Sequence, residues 1–493
     1  MVDVILAGYN VDVGQLKKLK NGEDVITTPE TLSAAYARIS RDPKSVTDLR
    51  AESILDVEKA RKSNENIVFG MGHASVAEHS VFNFDVTGAS RRLIEDIEKL
   101  RLTSFTEKSQ RYVTLDGDIV IPNEIRNTPL ESIYLEIIEE QNNFYHNNLE
   151  KLIEYHGKKP QNSLQKKKTI EGFGKEDARY GVSLATEGQL GMTINARSLE
   201  NFIRYLKGVG YEEATNFATQ LLNETKHIIP SLLKYTSGTD YDIKTRPELR
   251  EFVSGLLSVN NFPDNPVSLS SNVHVRSFFP SKTSLAQAAG LIFSSSKISY
   301  TLALHVAEKM MNDKSRANLI HNIAHAHQED YDPKLREIEL ESKLFFELEL
   351  SASAFAQLKR HRIATLIKQQ YHTGFYHTVP ESILNTGLAQ NLKDVVGLSS
   401  SGYDKLILEG LPIPVAEMLL TNAHKRRVLF SADPRELFAL ARLRLDEHAQ
   451  WDIKNVIVEM SRQLYEHDPV AYISLCGKDE FHKNKEEIKL KYS

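Results

Sequence analysis

The sequence predicts an α+β protein built from two tandem domains, each a mixed sheet with long helices, that form a pseudo-dimer. Three observations support this prediction. The chain has 493 residues, enough for two or three domains. The order strand, helix, strand occurs in both halves. The closing segments also match, since INARSLENFIRYL at 194–206 resembles ADPRELFALARLRL at 432–445, and HIIPSLLKY at 227–235 resembles EHDPVAYIS at 466–474. A tandem duplication with insertions explains this pattern.

The first half begins with a predicted strand at 2–8. Residues 30–65 carry apolar side chains at three-to-four spacing, which predicts helix. VFNFDVT at 81–87 alternates apolar and polar residues and predicts a strand. The segment 90–101 is amphipathic and opens on a serine, which predicts a capped helix. The pieces RYVTL and IVIP, within 111–122, predict two short strands after a polar turn.

The second half repeats this order, with a predicted strand at 343–351 and a predicted helix at 352–362. The stretch 236–272 is rich in Ser, Asn, Asp, Gly and Pro, which is typical of a linker. The charged run at 165–178 predicts a surface loop. The predicted boundaries are 1–240 for the first domain, 241–269 for the linker and 270–493 for the second domain.

Composition excludes several classes of protein. Hydrophobic residues make up 41% and charged residues 26%, which is typical of a globular chain. The net charge of −5 argues against a polycation that coats nucleic acid or an anionic membrane. Cys476 is the one cysteine, so neither an intrachain disulfide nor a cysteine-based zinc site can form. The N-terminal segment lacks the pattern of a signal peptide, and no apolar run reaches 18 residues. We therefore expect a cytoplasmic protein with no membrane span.

Three basic clusters are candidates for binding an anionic ligand. They are KLRLTSFTEKSQRY at 99–112, LKRHRIATLIKQQY at 358–371 and RLRLDEHAQWDI at 442–453. Two guanidinium groups close in sequence suit phosphate oxygens, and a Ser-x-Arg turn can cradle a phosphate with its backbone N–H groups. Each cluster taken alone could equally be a solvated surface of arginines.

Taken together, these clusters resemble the flavin-dependent thymidylate synthases of the ThyX type. Their signature is R-H-R-x-x-S-x-x-x-S-x-R-Y, with an upstream G-H-x-S-x-x-E-H, then N-A-R-S-L and L-R-x-x-x-H-A-Q-W-E. The first repeat matches it in GHASVAEH at 72–79, SFTEKSQRY at 104–112 and NARSL at 195–199. The second repeat matches in RHRIAT at 360–365 and LRLDEHAQWDI at 443–453. The resemblance implies reductive methylation of dUMP to dTMP, with FAD as cofactor and NADPH and methylenetetrahydrofolate as co-substrates.

The departures from the signature are complementary between the repeats. The first repeat has Lys99-Leu100-Arg101 in place of R-H-R and lacks the downstream arginine. The second repeat lacks the Ser-x-Arg-Tyr end of the signature. Asp96 stands where the family has a substrate-binding glutamine, and Glu417 lies near the position of its second phosphate-binding arginine. Each repeat has therefore lost the half of the site that the other retains.

The resemblance thus implies one complete nucleotide site, composed of residues from both repeats, and an inactive reciprocal site. The first repeat would supply Glu107, Ser109, Arg111 and Arg179, and the second would supply Gln357, Arg360 and Arg444. Among these, Arg444 is the expected catalytic residue, because a guanidinium beside the uracil imide favours the anionic ring that is electron-rich at C5. Family sites form between subunits of a tetramer, so we expect a homodimer of this doubled chain.

The flavin contacts implied by the resemblance fall in both repeats, and the sequence leaves open which repeat lines the cofactor. In the first repeat they are His73, Ser75, Asn195, Arg197 and Asn201. In the second they are Arg360, His361, Arg362, Arg435 and His448, with His361 and Arg362 expected to donate to the cofactor phosphates.

Other interpretations stay open at this point. His321 and His325 have the i, i+4 spacing of a zinc pair, but ordinary helix histidines fit as well and we predict no metal site. The chain could also be a nucleotide-binding scaffold or sensor that has lost the synthase reaction, or an enzyme that methylates another pyrimidine nucleotide.

Overall fold

The computed structural model describes residues 2–39, 41–158, 167–240, 242–244, 247–248, 274–279, 282–295, 297–329, 334–339 and 343–492. The chain forms two compact units. The first consists of 1–265 and 380–421, and the second consists of 266–379 and 422–493. Residues 380–421 thus belong to the first unit, although the sequence repeat assigns them to the second domain. The predicted linker 241–269 lies almost entirely outside the described residues.

Each unit contains one four-stranded sheet. The strands are β1 (Asp3–Tyr9), β2 (Val81–Ser90), β3 (Thr103–Glu107) and β4 (Glu187–Asn195) in the first unit, and β5 (His274–Phe278), β6 (Leu344–Ser351), β7 (Thr365–Lys368) and β8 (Lys425–Ala432) in the second. Their orders, β1-β2-β4-β3 and β5-β6-β8-β7, are the same, which agrees with a duplication. The predicted α+β class is confirmed. The expected mixed pairing is wrong, because every described strand pair is antiparallel.

Helices make up most of the remaining described structure. Up to residue 265 they are α1 (Val13–Lys20), α2 (Glu30–Arg38), α3 (Val46–Leu55), α4 (Val57–Glu65), α5 (Arg91–Ile97), α6 (Pro129–Lys158), α7 (Lys167–Ala178), α8 (Ala196–Gly208) and α9 (Glu212–Thr225). The later ones are α10 (Thr283–Ser294), α11 (Tyr300–His305), α12 (Asp313–Ala317), α13 (Ala352–Leu358), α14 (Glu381–Asn385), α15 (Ala389–Leu408), α16 (Ile413–Glu417), α17 (Pro434–Arg444), α18 (Trp451–His467), α19 (Pro469–Tyr472) and α20 (Phe481–Tyr492).

The turn from β2 into α5 shows how the sequence pattern forms this fold. Phe82, Phe84 and Val86 alternate with exposed residues along β2 and enter the core of the first unit, as the period of two predicts. Ser90 then caps α5, because its hydroxyl accepts the backbone N–H of Leu93. The second unit repeats this turn at Ser351, ahead of α13.

The segment 380–421 is held in the first unit by buried polar contacts. Gln141 of α6 is fully buried, and its amide donates to Ser399 Oγ and to the carbonyl of Leu419, both at 2.7 Å. Ser382 Oγ donates to the buried carboxylate of Asp177 at 2.5 Å. The apolar side chains of α16 join the core that β2 and α8 form. Helices α6 and α15, from corresponding parts of the two repeats, therefore pack together inside one unit.

Two local predictions were wrong. The pieces within 111–122 form a loop with one isolated bridge, and the strand lies earlier, at β3. The predicted charged loop at 165–178 is helical from 167, as α7, because its inner face packs on α6 and buries Glu176 and Asp177.

The described residues include no helix that is both long enough and apolar enough to cross a bilayer.

Candidate functional site

The loop after β3 forms the first half of the candidate site. Its backbone turns at Ser109, whose carbonyl accepts the N–H of Val113 at 3.1 Å. The Ser109 hydroxyl accepts the N–H of Arg111 at 3.2 Å, which fixes the predicted Ser-x-Arg turn. A second anchor is the N–H of Lys108, which donates to the carbonyl of Gln189 in β4. The sheet therefore positions this loop through the backbone.

Arg111 and Arg179 meet at one buried carboxylate. The Nε of Arg111 donates to Glu176 at 2.5 Å. Burial raises the pKa of Glu176, and the charges of Arg111 and Arg179 oppose that rise. Arg179, which is 6% exposed, has its pKa lowered by burial, against the attraction of Glu176. These two predicted phosphate ligands, 68 positions apart in sequence, thus lie in one electrostatic environment.

Three guanidinium groups lie around this carboxylate. Arg91 and Arg111 both lower the pKa of Arg179 further, so the three guanidinium groups are close enough to repel one another. Arg91 in turn donates to Glu107 at 2.9 Å. The guanidinium groups of Arg91, Arg111 and Arg179 thus lie close together in a partly buried place, among the carboxylates of Glu107, Glu176 and Asp177. Grouped guanidinium groups of this kind can donate to an anionic ligand.

A cavity of about 40 Å³ opens beside this cluster. Its wall includes the predicted residues Glu107 and Ser109, and its other charged residues are Arg91, Lys108, Asp116, Asp118 and Glu187. The sequence prediction did not include Arg91 or Glu176. Arg91 could have been found from the sequence, because two consecutive arginines at a helix N-terminus lie at the positive end of the helix dipole. Such an unfavourable position indicates that the arginines have another role. Glu176 was hidden in the run predicted as a loop.

The second half of the candidate site joins α13 to the end of α17. Arg444 donates from Nη1 to the Gln357 side-chain oxygen and from Nη2 to the Gln357 carbonyl, both at 3.0 Å. Its Nε donates to Nε2 of His361 at 3.2 Å. The structure therefore brings together three predicted residues that come from distant parts of the second repeat.

These contacts describe the surroundings of His361, whose role as a charged phosphate donor stays a prediction. Its Nε2 accepts from Arg444, so the proton is on Nδ1, which points to Glu436 at 3.3 Å. Burial lowers the pKa of His361, and the charge of Arg444 lowers it further. His361 is thus a buried, neutral ring that orients Arg444. Its neighbours Arg360 and Arg362 are half-buried and accessible to a ligand.

The predicted flavin contacts of the first repeat cluster where the segment 74–79, a 3₁₀ helix, meets the start of α8. Asn195 caps α8 by accepting the N–H of Ser198, and Asn201 donates to the carbonyl of Arg197. Arg197 pairs with Glu78 at 2.6 Å.

The neighbouring histidine completes this first-repeat cluster. His73 is exposed, and its Nε2 lies 3.3 Å from Arg41, an arginine that the sequence prediction did not include. Ser75, two residues further on, is exposed as well. The cluster is therefore an accessible, donor-rich surface.

The second repeat contains an equivalent of the Arg197 pair. Arg435, one residue after the start of α17, pairs with Glu339 at 2.6 Å and donates to the carbonyl of Lys334. His448 lies apart from this pair in the exposed loop before α18, with its Nε2 3.4 Å from Glu447. The repeats thus share this arginine–glutamate contact, although their sequences differ around it.

The counterpart of Arg179 in the second repeat is a carboxylate. Ser183 and Thr421 lie four residues after Arg179 and Glu417, and these two residues pair in an antiparallel bridge inside the first unit. The segments are therefore related about the bridge, and Glu417 occupies the place that corresponds to Arg179.

An ion network surrounds Glu417. Arg92 is buried and donates from Nε to Glu417 at 2.6 Å and from Nη1 to Asp96 at 2.8 Å. Burial lowers the pKa of Arg92, but Asp96 and Glu417 outweigh it and hold that pKa well above its usual range. Tyr205 and Tyr211 donate their hydroxyls to Asp96 as well. The two acidic departures noted in the sequence thus belong to one network, which leaves no excess positive charge for a phosphate.

Comparison with known protein families gives two matches in this chain. The family described as "Thymidylate synthase complementing protein" matches residues 24–231 and again 277–470. A flavin-dependent thymidylate synthase of Clostridium tetani is 33% identical over 211 residues, which cover 42% of this chain and 82% of that protein. A protein of Chlamydia muridarum named "UPF0159 protein" is 23% identical over 448 residues, covering 85% of this chain and 81% of its own length.

A crystal structure of thymidylate synthase X from Helicobacter pylori with FAD and dUMP matches 48% of this chain and 100% of its own. It is 18% identical with a TM-score of 0.31, a value too low to support an argument.

Proposed function

Because the chain belongs to the Thymidylate synthase complementing protein family, we propose that it methylates dUMP to dTMP in a flavin-dependent reaction. FAD is the proposed cofactor, methylenetetrahydrofolate the one-carbon donor and NADPH the reductant. The likeness to the Clostridium tetani flavin-dependent thymidylate synthase supports this class of reaction. The observation that carries the proposal is the convergence of Arg111 and Arg179 on the buried carboxylate of Glu176.

The phosphate of dUMP is held by this cluster. Arg111 and Arg179 come from a loop and from the end of a helix. Glu176 accepts a hydrogen bond from Arg111 and attracts the charge of Arg179. A ligand that binds pre-ordered guanidinium groups loses less side-chain entropy than one that must order them. Ser109 contributes its hydroxyl and the N–H groups of its turn. Since no base contacts Ser109 among the described residues, we assign it to binding and not to nucleophilic attack.

Arg444 activates the pyrimidine. Its guanidinium is aimed by Gln357 and by the neutral ring of His361. A cation beside the uracil imide stabilises the anionic ring, and that ring is more electron-rich at C5, where the new bond forms. His361 therefore acts as a positioning residue for Arg444.

The residues around α8 fit a flavin nucleotide. Arg41, His73, Arg197 and Asn201 are exposed donors or basic groups on one surface, which suits a phosphate-bearing cofactor. Arg435 is the corresponding donor in the second repeat, with Arg360 and Arg362 as further candidates. When bound, the flavin supplies the reducing equivalents that the one-carbon unit needs to become a methyl group.

Each chain forms one complete nucleotide site from two half-sites. One half is the Ser109–Arg179 cluster and the other is the Gln357–Arg444 cluster. The reciprocal site is inactive, because Arg92 with Asp96 and Glu417 fills the corresponding place. We propose that the chain forms a homodimer, so that four repeats come together as in the tetrameric relatives.

Calorimetric titration with dUMP tests the number of sites. We expect one dUMP per chain, and two per chain would contradict an inactive reciprocal site. Release of tritium from [5-³H]dUMP, with methylenetetrahydrofolate and NADPH present, tests the reaction. Binding of dUMP without tritium release would indicate a scaffold or sensor. Turnover of a different pyrimidine nucleotide, with no turnover of dUMP, would reassign the substrate.

Mixing two variants tests the division of the site. Arg111→Ala and Arg444→Ala chains are each expected to be inactive. If one site uses two chains, co-refolded mixtures regain about a quarter of wild-type turnover, because half of the dimers carry one intact site out of two. If each site uses a single chain, the mixture stays inactive. Full turnover by either variant alone would contradict the composite site. Arg462→Ala, an exposed arginine on α18, is the matched control.

A further inference from the structure

A lysine is buried in the second unit, and none of its side-chain contacts among the described residues is with a carboxylate. Lys334 is 8% exposed, and it corresponds in position to His73, because both lie five residues before the glutamate that pairs with the flavin-site arginine. Its Nζ donates to Ser474 Oγ at a long 3.4 Å and lies 4.9 Å from the centre of the Phe438 ring. Among the described residues, these are its side-chain contacts. An ammonium group has three protons to donate, so this one is poorly satisfied.

The two histidines beside Lys334 have no further capacity to accept from it. His321 donates from Nε2 to the carbonyl of Val470 at 2.8 Å, so its Nδ1 is an acceptor and takes the Ser474 proton at 3.1 Å. His325 donates from Nδ1 to the carbonyl of Ile320 at 2.6 Å and accepts the N–H of Leu335 at 3.1 Å. Both rings are therefore neutral, and each ring uses both of its nitrogens.

Two further cations act on the lysine. Arg442 and Lys485 both lower the pKa of Lys334, although burial lowers it more, and together they bring it to about 8. Cys476 faces Lys334 but does not neutralise it, because burial raises the pKa of this thiol to about 11. At neutral pH two further cations therefore act on a buried ammonium. The carboxylates of Glu337, Asp479 and Glu480 act on the neighbouring His325 and Cys476.

A small cavity of about 20 Å³ lies at this lysine. It is lined by His321, His325, Gln328, Lys334 and Ser474, and by residues of α20 that include Lys485. No described residue of its wall is an aspartate or a glutamate. The volume suffices for one particle about the size of a water molecule, and it is too small for a nucleotide or a folate.

We propose that this cavity binds one small monovalent inorganic anion of halide size, held by the ammonium group of Lys334. Such an anion accepts the protons of the Lys334 ammonium group that Ser474 does not accept. It also offsets the charges of Arg442 and Lys485. The site is separate from the proposed nucleotide site. Lys334 belongs to the segment 334–339. Its side chain lines the cavity, whereas its carbonyl and the Glu339 carboxylate accept from Arg435.

Bromide gives a direct test with the unmodified protein. Crystals of the full chain grown with sodium bromide are expected to show an anomalous bromine peak beside Lys334 Nζ. Density of a water molecule there, with no anomalous signal, would overturn the proposal. This experiment depends on no variant, so the folding of a variant cannot obscure the result.

Thermal unfolding tests binding in solution. In sodium bromide, compared with sodium gluconate at equal ionic strength, the wild-type Tm is expected to rise and to saturate. The rise is expected to disappear in Lys334→Met, which keeps an unbranched chain without the charge. The control Lys483→Met, at an exposed position of α20, keeps the rise. An equal response in wild type and Lys334→Met would contradict the assignment.

The pH dependence supplies a second readout. Bromide affinity is expected to fall about tenfold from pH 7 to pH 9, because the ammonium of Lys334 loses its proton near a pKa of about 8. The facing groups do not mask this change. The pKa values of His321 and His325 are lowered to about 3 and about 4, and Cys476 stays a thiol over this range. Unchanged affinity over this interval would argue against the lysine as the ligand.

Discussion

Replacement of Arg444 by alanine separates the chemical role of this residue from its structural one. The guanidinium makes three hydrogen bonds, two to Gln357 and one to His361. Because Arg444 is only half-buried, water can replace part of these bonds, and we expect Arg444→Ala to lower the free energy of unfolding by about 1–2 kcal/mol. A domain that has lost this amount of stability is still folded at 25 °C.

The expected loss of transition-state stabilisation in Arg444→Ala is larger than the expected loss of folding stability. Removal of one donor aimed at developing charge costs about 10²- to 10³-fold in kcat, or about 3–4 kcal/mol of transition-state stabilisation. Tritium release from [5-³H]dUMP measures turnover, and calorimetry measures the dUMP Kd of the same preparation. A catalytic role predicts a fall in kcat that exceeds the rise in Kd, because the cation acts mainly on the anionic form of the ring.

A control and two outcomes complete this test. Arg462→Ala removes an exposed guanidinium that pairs with Glu459 and Glu466, so it is expected to change stability by less than about 1 kcal/mol and to leave turnover unchanged. Full turnover in folded Arg444→Ala would refute the assigned role. A rise in Kd with unchanged kcat would reduce Arg444 to a binding residue.

Three further predictions follow from buried groups. Burial raises the pKa of Glu213 to about 7, against its hydrogen bonds from Ser90, so the folded state holds a proton that the unfolded state releases above about pH 4.5. Stability should therefore fall by about 3 kcal/mol as pH rises from 4 to 8, and Glu213→Gln should abolish this part of the slope in urea titrations. Gln141→Leu leaves the Leu419 carbonyl without its buried donor and should lower the free energy of unfolding by about 1–3 kcal/mol, with unchanged dUMP affinity. Cys476→Ala should keep full tritium release, and the wild-type thiol should react slowly with a disulfide reagent at pH 8, because burial raises its pKa to about 11. Loss of activity in Cys476→Ala, an unchanged pH slope in Glu213→Gln, or wild-type stability in Gln141→Leu would contradict the respective argument.

Local sequence patterns predicted those elements whose buried face can be recognised from a few neighbouring residues. The alternation in β2, the serine cap of α5 and the period of α8 all encode a buried face within a few residues, and these elements are where the patterns indicated. The prediction of α7 failed for the opposite reason. Its charged residues suggest solvent, and only the packing on α6 makes Glu176 and Asp177 buried partners of an arginine and a histidine.

The candidate site shows the same division. The Ser-x-Arg turn is local, so the motif placed Ser109 and Arg111 correctly in one loop. The electrostatic environment of Arg179 depends on Arg91 and Glu176. The sequence analysis did not select these two residues, because they come near Arg179 only when the loop, α5 and α7 meet. The protonation of His361 likewise depends on which of its nitrogens faces Arg444, and no sequence pattern specifies that.

The sequence by itself determined the duplication, the α+β class and the loss of opposite motifs from the two repeats, because strand and helix periods and linear motifs are properties of neighbouring residues. Only the tertiary structure decided that residues 380–421 belong to the first unit. It alone also revealed that Arg92, Asp96 and Glu417 form one ion network, and that Lys334 is buried at a cavity whose described wall contains no carboxylate. These features depend on desolvation and on charges from distant segments, and both arise only when the chain is packed.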